Sequence, residues 1–462
     1  MALAVAASAA LPALAQQGAA EEREEELQQD IEGTEDVERA AEDALDLEAF
    51  GDGPPVTYQD VLADPDNIEL NFRYALTQIR EGNVRGAGAT LERILLIRPD
   101  LATVRVLFAI VLFRLDNLDE AERELRAVRD LEMPDDLRQQ IDRYLEQIAQ
   151  RRKTTKFVLA VNLATQYDWN RNASPTSKER FAFGLPTRAT GGSLRQDDLS
   201  LNGLAQISFE HDLGAQKRHM MVGGLVYYQG EQVQQDDLDL HAVSADWGFS
   251  LDFAPNTFTP RLLYENVLLS RQKYLDSRGF SLDWNRDVSN TFKVFGTGKV
   301  KYQSYNNITG NTTATQRSGR VLDFQLGFSQ VLDPTQRIRA SFRRARTIAA
   351  RGFNSFDRDE ISATHTWLFE DGDFLLSSLT LTRDRYDRND PSIATDTRSD
   401  KAGRLRVTYG LPLRAIDDEV PALLQDLTLT VSAEAYRQLS NITNFSYKNY
   451  RFSVGVNRRW EF

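Results

Sequence analysis

The chain has 462 residues, no cysteine, 10% aromatic residues and a formal net charge of −13. That length suggests two or three domains of about 150 residues, although one large barrel can absorb 250 or more. The lack of cysteine excludes a disulfide framework, a thiolate metal site and a lipidated cysteine, and the acidic balance argues against nucleic-acid binding.

A mean hydropathy of −0.46, with no apolar run near 18 residues beyond the start, excludes a helical membrane protein. It does not exclude a membrane β-barrel, whose strands are apolar only at every second position. Residues 1–15 (MALAVAASAALPALA) are small and apolar, and Ala13-Leu14-Ala15 has the form of a signal-peptidase site. The first basic residue is Arg23, so a basic leader segment is missing; an alanine-rich soluble helix is the alternative. Residues 16–55 read as an acidic spacer. Positions 21–50 alone hold fourteen Asp and Glu against Arg23 and Arg39, and carry nearly all of the net charge. So polar a segment cannot bury enough apolar surface to offset its ordering entropy.

Residues 56–153 read as a helical unit with an internal repeat of 34. Gly82-Asn83 maps onto Asp116-Asn117, Ala87 onto Ala121, Leu91 onto Leu125 and Ile94 onto Val128, with Pro99 one short of Pro134. This register resembles the tetratricopeptide (TPR) repeat: small residues where two helices cross, a turn between them, and a proline after the second. Tyr74 and Phe108 loosely meet its aromatic positions, and residues 135–150 form a capping amphipathic helix. Such a solenoid presents a binding surface, for which Tyr74, Phe108 and Leu112 are the candidate client contacts. A generic helical bundle is the competing reading.

From residue 156 to 462 the period changes to two. Tyr450, Phe452, Val454, Val456, Trp460 and Phe462 alternate with Arg451, Ser453, Gly455, Asn457, Arg459 and Glu461, and Arg458 breaks the pattern. Fourteen strands are expected near 157–169, 200–212, 217–229, 238–252, 257–269, 277–287, 291–304, 320–331, 336–347, 358–369, 374–386, 401–412, 425–437 and 449–462. Connections after even-numbered strands are tight, except the one after the twelfth (413–424). Those after the first, seventh, ninth, eleventh and thirteenth are long, reaching about thirty residues at 170–199. That asymmetry characterises an outer-membrane barrel with its short turns in the periplasm; a sandwich or propeller does not predict it. Aromatic girdles are expected from Tyr167, Trp169, Tyr227, Tyr228, Tyr386, Tyr436, Tyr447, Tyr450 and Trp460. Trp460 and the terminal Phe462 resemble the signal read by the barrel assembly machinery. The expected class is therefore α+β multidomain: TPR-like helical repeats followed by a fourteen-stranded antiparallel transmembrane β-barrel.

This combination resembles the surface lipoprotein assembly modifier (Slam) family. The resemblance covers roughly residues 68–462. Its most specific stretch is Ser440-Asn441-Ile442, Phe445-Ser446-Tyr447, Asn449-Tyr450-Arg451, Val454-Gly455 and Trp460-Glu461-Phe462. The chain departs from the family in its few repeats and long acidic lead. The resemblance implies an outer-membrane translocon for a specific periplasmic client, a surface lipoprotein or a soluble haemophore-like protein, with the helical unit in the periplasm. The client, outer-membrane lipids and the assembly machinery are the expected partners; no nucleic acid is expected, and the chain is expected to be a monomer. Arg337, Arg339, Arg343, Arg404, Arg406, Arg451 and Arg459 are the candidate basic stripe of the lumen, either guiding an acidic segment or pairing with luminal carboxylates. A lipid-bearing client could leave sideways where the first and last strands meet if their pairing is weak.

No catalytic or cofactor constellation is legible. His211, His219, His241 and His365 are scattered without metal-ligand spacing, and no nucleophile elbow occurs. A non-enzyme without cofactor or metal is expected. A porin or nutrient channel with a periplasmic docking module, and an exopolysaccharide export pore, are the alternatives to the translocon.

Overall fold

The computed structural model describes residues 56–80, 82–129, 135–151, 153–214, 219–369, 372–413, 424 and 426–462. The expected signal peptide (1–15) and acidic spacer (16–55) lie outside the described residues. The chain divides into two compact units, a helical one ending at Lys153 and a strand-built one running from Thr154 to Phe462.

The helical unit contains α1 (Tyr58–Ala63), α2 (Ile68–Arg80), α3 (Val84–Ile97), α4 (Ala102–Arg114), α5 (Leu118–Arg129) and α6 (Asp135–Arg151). α2 and α3 form a helical hairpin, and α4 and α5 form a second one 34 positions further on. Their turns are built alike. Gly82 (φ +75°) and Asp116 (φ +60°) both take the left-handed conformation that closes a helix. The Asn83 N–H donates to the Gln78 carbonyl at 2.8 Å, and the Asn117 N–H to the Leu112 carbonyl at 2.9 Å. Asn83 caps α3 by accepting from the Gly86 N–H at 3.1 Å. Ala87, Ala121, Leu91, Leu125, Ile94 and Val128 all lie buried in the core. Each fully buried Leu contributes about 1.5–3 kcal/mol. α4 is the central helix: Val104 and Val106 through Phe113 are all buried, so it is apolar around its whole circumference.

The second unit is a closed antiparallel barrel. Its strands are β1 (Thr155–Asp168), β4 (Asp198–Asp212), β5 (Met220–Gln232), β6 (Leu240–Phe253), β7 (Asn256–Leu269), β8 (Gln272–Asp287) and β9 (Phe292–Tyr305). They continue with β10 (Gly319–Asp333), β11 (Gln336–Ala349), β12 (Phe356–Leu368), β13 (Phe374–Tyr386), β14 (Ser399–Pro412), β15 (Leu427–Ser440) and β16 (Tyr447–Glu461). Each pairs with its chain neighbour, and β1 pairs with β16 to close the ring. β2 (Glu179–Ala182) and β3 (Leu185–Arg188) form a separate hairpin inside the first long connection, where alternation predicts no strand.

One rim carries short turns such as Ala254–Pro255 and Pro334–Thr335; the other carries long loops at 169–197, 306–318 and 387–398. β7 and β8 depart from expectation. They meet on the long-loop rim through Ser270 and Arg271 alone, both at positive φ, a two-residue hairpin turn with no glycine or asparagine to announce it. The connection at 413–424 falls almost wholly outside the described residues.

Alternation sorts the faces. Tyr450, Phe452, Val454 and Val456 on β16, Leu322 through Phe328 at even positions on β10, and Leu379 and Leu381 on β13 are exposed and point outward. Hundreds of Å² of contiguous apolar surface is stable only where hydrocarbon covers it.

Candidate functional site

The inward face of the barrel is a wall of interlocked charges. Register makes Arg406 of β14, Glu434 of β15, Arg451 of β16 and Asp168 of β1 successive cross-strand partners. The Arg451 Nε donates to Asp168 Oδ2 at 2.9 Å and its Nη1 to Glu434 Oε1 at 3.3 Å. Arg404 lies 3.8 Å from the same Glu434 oxygen, and Asn449 Nδ2 donates to Asp168 Oδ1 at 2.6 Å. Asp168 is 1% exposed and Glu434 8%; charges so buried are tolerated only when paired and hydrogen-bonded. Nearer the long-loop rim, Arg358 grips Asp384 with two 2.7 Å bonds. Further round the wall Arg261 meets Asp246 at 2.7 Å, Lys301 meets Glu265 at 3.2 Å, and Arg343 bonds Asp323 at 2.8 Å and approaches Glu360 at 3.5 Å.

These contacts decide the composition of the expected arginine stripe. Arg343, Arg404 and Arg451 engage wall carboxylates, and Arg459 bonds Glu461 at 2.8 Å. Arg406 stands opposite Glu434 in register. Arg339 lies over the Phe295 ring at 3.5 Å; the Cζ of that ring lies against Gly327, where a Cβ would come within 2.4 Å of it. Arg337 is buried on β11 beside them. The wall is therefore a mosaic of both signs rather than an uncompensated basic track.

The long loops lock together over one side of the mouth. The first loop donates from Thr176 N–H to the Ser446 carbonyl at 2.8 Å and from Phe183 N–H to the Ser392 carbonyl at 2.9 Å. Asn444 closes a two-way bridge with the backbone of Phe181 at 2.7 and 2.9 Å. Phe181 packs against Ile393, Ala394, Ile442 and Phe445. Arg398 stacks on Phe445 (3.4 Å) and Tyr386 (4.6 Å) while its Nε donates to Asp400 at 2.8 Å. Burial alone would pull the Arg398 guanidinium down, but its anionic surroundings hold it above its ordinary value. Arg171, also in the first loop, is lowered because desolvation outweighs Asp168 beside it. On the other side, Ile308 and Ala314 of the 306–318 loop fold onto Tyr228, Leu240, Val267 and Leu269 of the wall, and Arg317 Nη1 donates to the Tyr274 hydroxyl at 2.7 Å.

Several expectations are corrected. Tyr228, Tyr386, Tyr436 and Tyr447 face inward beneath the loops, not outward; Trp169, Tyr227 and Tyr450 are exposed outer aromatics of that set, and Tyr167 is half-buried against Trp169. Phe108 and Leu112 are 8% and 7% exposed within the core around α4, so they hold the helical unit together and offer no contact surface. Tyr74 is half-buried and stacks on Tyr58 at 6.2 Å. The β1–β16 seam is strongly paired: register runs unbroken from Val158↔Glu461 to Asp168↔Arg451, and Phe462 exchanges backbone bonds with Phe157 at 2.9 and 3.3 Å. Arg458 keeps to the outward face of β16, where it lies over Trp460 and meets Asp426 at 3.0 Å. The four histidines occupy unrelated places; His211 bonds Thr155, His219 accepts from the Asp252 N–H, His241 lies 3.1 Å from Glu231 and His365 meets Gln336. The mouth contacts of the first loop escaped the sequence reading because they join residues more than 200 positions apart.

Among solved structures the barrel is similar to a loop-deletion form of OmpT, an outer membrane protein of Vibrio cholerae (TM-score 0.34, 9% identity, 67% of this chain and 100% of that one). It is also similar to OccAB4 of Acinetobacter baumannii (TM-score 0.32, 9% identity, 68% and 100%) and to the anion-selective porin from Comamonas acidovorans (TM-score 0.37, 6% identity, 66% and 99%). No family model and no curated protein matches the chain.

Proposed function

We propose that the protein is an outer-membrane channel of the Slam type, which moves one specific periplasmic client to the cell surface. The barrel spans the outer membrane with its short turns in the periplasm, and the helical unit works on the periplasmic side as a TPR-like receptor for the client, a surface lipoprotein or a soluble haemophore-like protein. The observation that carries this reading is the repeated helical hairpin: Gly82 and Asp116 close identical turns 34 positions apart. A channel for passive diffusion has no use for a repeat module whose general role is to hold peptide or protein. Tyr74, with Tyr58 beside it, stays the candidate client contact. Trp460 and Phe462, zipped into the last strand pair, remain the candidate insertion signal. The mosaic wall supplies a polar path, and the interlocked outer loops frame one side of its mouth. The strength of the seam favours passage through the lumen over lateral escape.

Co-expression with a candidate client encoded nearby tests this reading. The client should reach the cell surface only when this chain is present, and deletion of residues 51–150 should abolish display while leaving a heat-modifiable barrel. Equal display with and without the chain would refute it. A second reading, a porin with a docking module, is favoured by the charged, hydrogen-bonded mosaic of the wall. It predicts that liposomes containing the chain swell rapidly in small sugars without any client.

A further inference from the structure

The outer face of the barrel carries a patch of cations whose placement is costly unless an anion sits on it. Arg383 of β13 and Lys401 of β14 are direct cross-strand partners, as are Arg437 of β15 and Lys448 of β16. Lys401 and Arg437 are diagonal neighbours across the β14–β15 pair, because Arg437 stands opposite Gly403. All four are exposed. All four alternate with outward apolar residues, Leu381, Leu405, Leu439 and Tyr450 among them. Among the described residues none of the four has a carboxylate within ion-pair distance. Like charges placed directly opposite in an antiparallel pair destabilise it, and here two such pairs lie side by side.

The neighbouring strands show what a balanced surface looks like. On β11–β13, at the same outward level, Arg344 and Arg385 share Asp359 at 3.0 and 2.8 Å, and Arg346 is held by Asp387 just beyond β13. Asp359 also stands opposite Arg383 in register, but its two oxygens are bonded to Arg344 and Arg385, so the belt is neutralised over β11–β13 while Lys401, Arg437 and Lys448 beyond it meet no carboxylate among the described residues. On β4 and β5 the corresponding outward positions are Leu199, Leu201, Gln229 and Glu231. The bare cations sit one to three residues from the long-loop ends of their strands, immediately above the outward apolar band of Leu379, Leu381, Leu405 and Phe452. That is the level of lipid headgroups, not of hydrocarbon.

We infer that the Arg383–Lys401–Arg437–Lys448 patch binds the phosphate-bearing headgroup of an outer-leaflet glycolipid whose acyl chains lie on the apolar band below. Two guanidinium forks suit phosphate oxygens bidentately, and the two ammonium groups supply point charges beside them. A lipid rather than a soluble phosphate fits because headgroup and chains are recognised at once by one continuous surface, cations above and leucines below. The inference rests on the proposed sidedness of the barrel, with the long loops outside, but not on client transport.

The test uses the full chain purified in detergent and lipid A as probe, with native mass spectrometry counting bound lipid. Wild-type protein should retain lipid A, and Arg383→Gln/Lys401→Gln together with Arg437→Gln/Lys448→Gln should weaken retention by at least about tenfold. Heat-modifiable migration should be unchanged, since the variants remove repulsion and no internal contact. Arg278→Gln, an exposed cation on β8 that approaches Asp276 at 3.5 Å, should change nothing. Phosphatidylcholine should not bind the patch, and millimolar inorganic phosphate should not displace lipid A. Equal retention of lipid A by the fourfold variant would overturn the proposal, and so would full displacement by inorganic phosphate. Client display in cells is scored separately, so loss of display with lipid binding intact would fall on the transport reading alone.

Discussion

The helical unit and the barrel use the same side chains in inverted order. In the helical unit Leu91, Leu107, Ile110 and Leu125 point inward and are sealed from solvent, while Arg98, Asp100 and the Arg123–Glu120 pair stay outside. In the barrel Leu326, Leu379 and Phe452 point outward and stay exposed, while Asp168, Asp384 and Glu434 are the buried groups. The first arrangement is stabilised by removing apolar surface from water. The second needs lipid for its apolar face and a closed hydrogen-bonded ring for its backbone. The lesson is that burial alone does not mark an apolar core here: Asp168 is as deeply buried as Val267 and Leu269, and it is held there by Asn449 and Arg451.

The sharpest way to break that contrast is to unpair a luminal charge. Arg451→Met leaves Asp168 and Glu434 without their shared guanidinium, and should cost about 3–5 kcal/mol of barrel stability. Denaturant-induced unfolding in vesicles measures it, and adding Asp168→Asn and Glu434→Gln should recover part of the loss. In the helical unit the equivalent injury is a cavity. Leu125→Ala should cost about 2–5 kcal/mol in the stability of that unit and leave the barrel transition where it was. Placing charge on the lipid face sharpens the inversion from the other side: Leu326→Arg should cost about 2–4 kcal/mol near the bilayer centre. The smallest effect belongs to the repeated turn. Gly82→Ala should cost about 1 kcal/mol through its left-handed backbone, with the helical content otherwise intact by circular dichroism.

How much of this was legible in the sequence follows from which interactions are local. Strand number and face assignment were readable because alternation at Tyr450 through Val456 repeats every two residues and needs no knowledge of neighbours. The helical repeat was readable because Gly82-Asn83 and Asp116-Asn117 form their turns with residues at most five positions away. The Ser270-Arg271 turn was not, since neither residue favours positive φ and the tight closure is imposed by the pairing of β7 with β8. Phe108 and Leu112 looked like surface candidates because helical periodicity fails in α4, where every side is buried. The luminal network was half legible: arginines on inward positions could be listed, but their partners depend on register between strands far apart in sequence, as Arg451 and Asp168 are. The interlocked mouth was invisible for the same reason.

The absence of cysteine makes the central claim directly measurable. Single cysteines introduced at positions 450 through 456 of β16 can carry a nitroxide label in the full chain reconstituted in lipid vesicles, where collision with oxygen reports hydrocarbon and collision with a water-soluble nickel chelate reports the aqueous lumen. Oxygen access should peak at 450, 452, 454 and 456, and nickel access at 451, 453 and 455. Labels that alternate in the opposite phase, or do not alternate at all, would contradict a barrel whose apolar face is its outside.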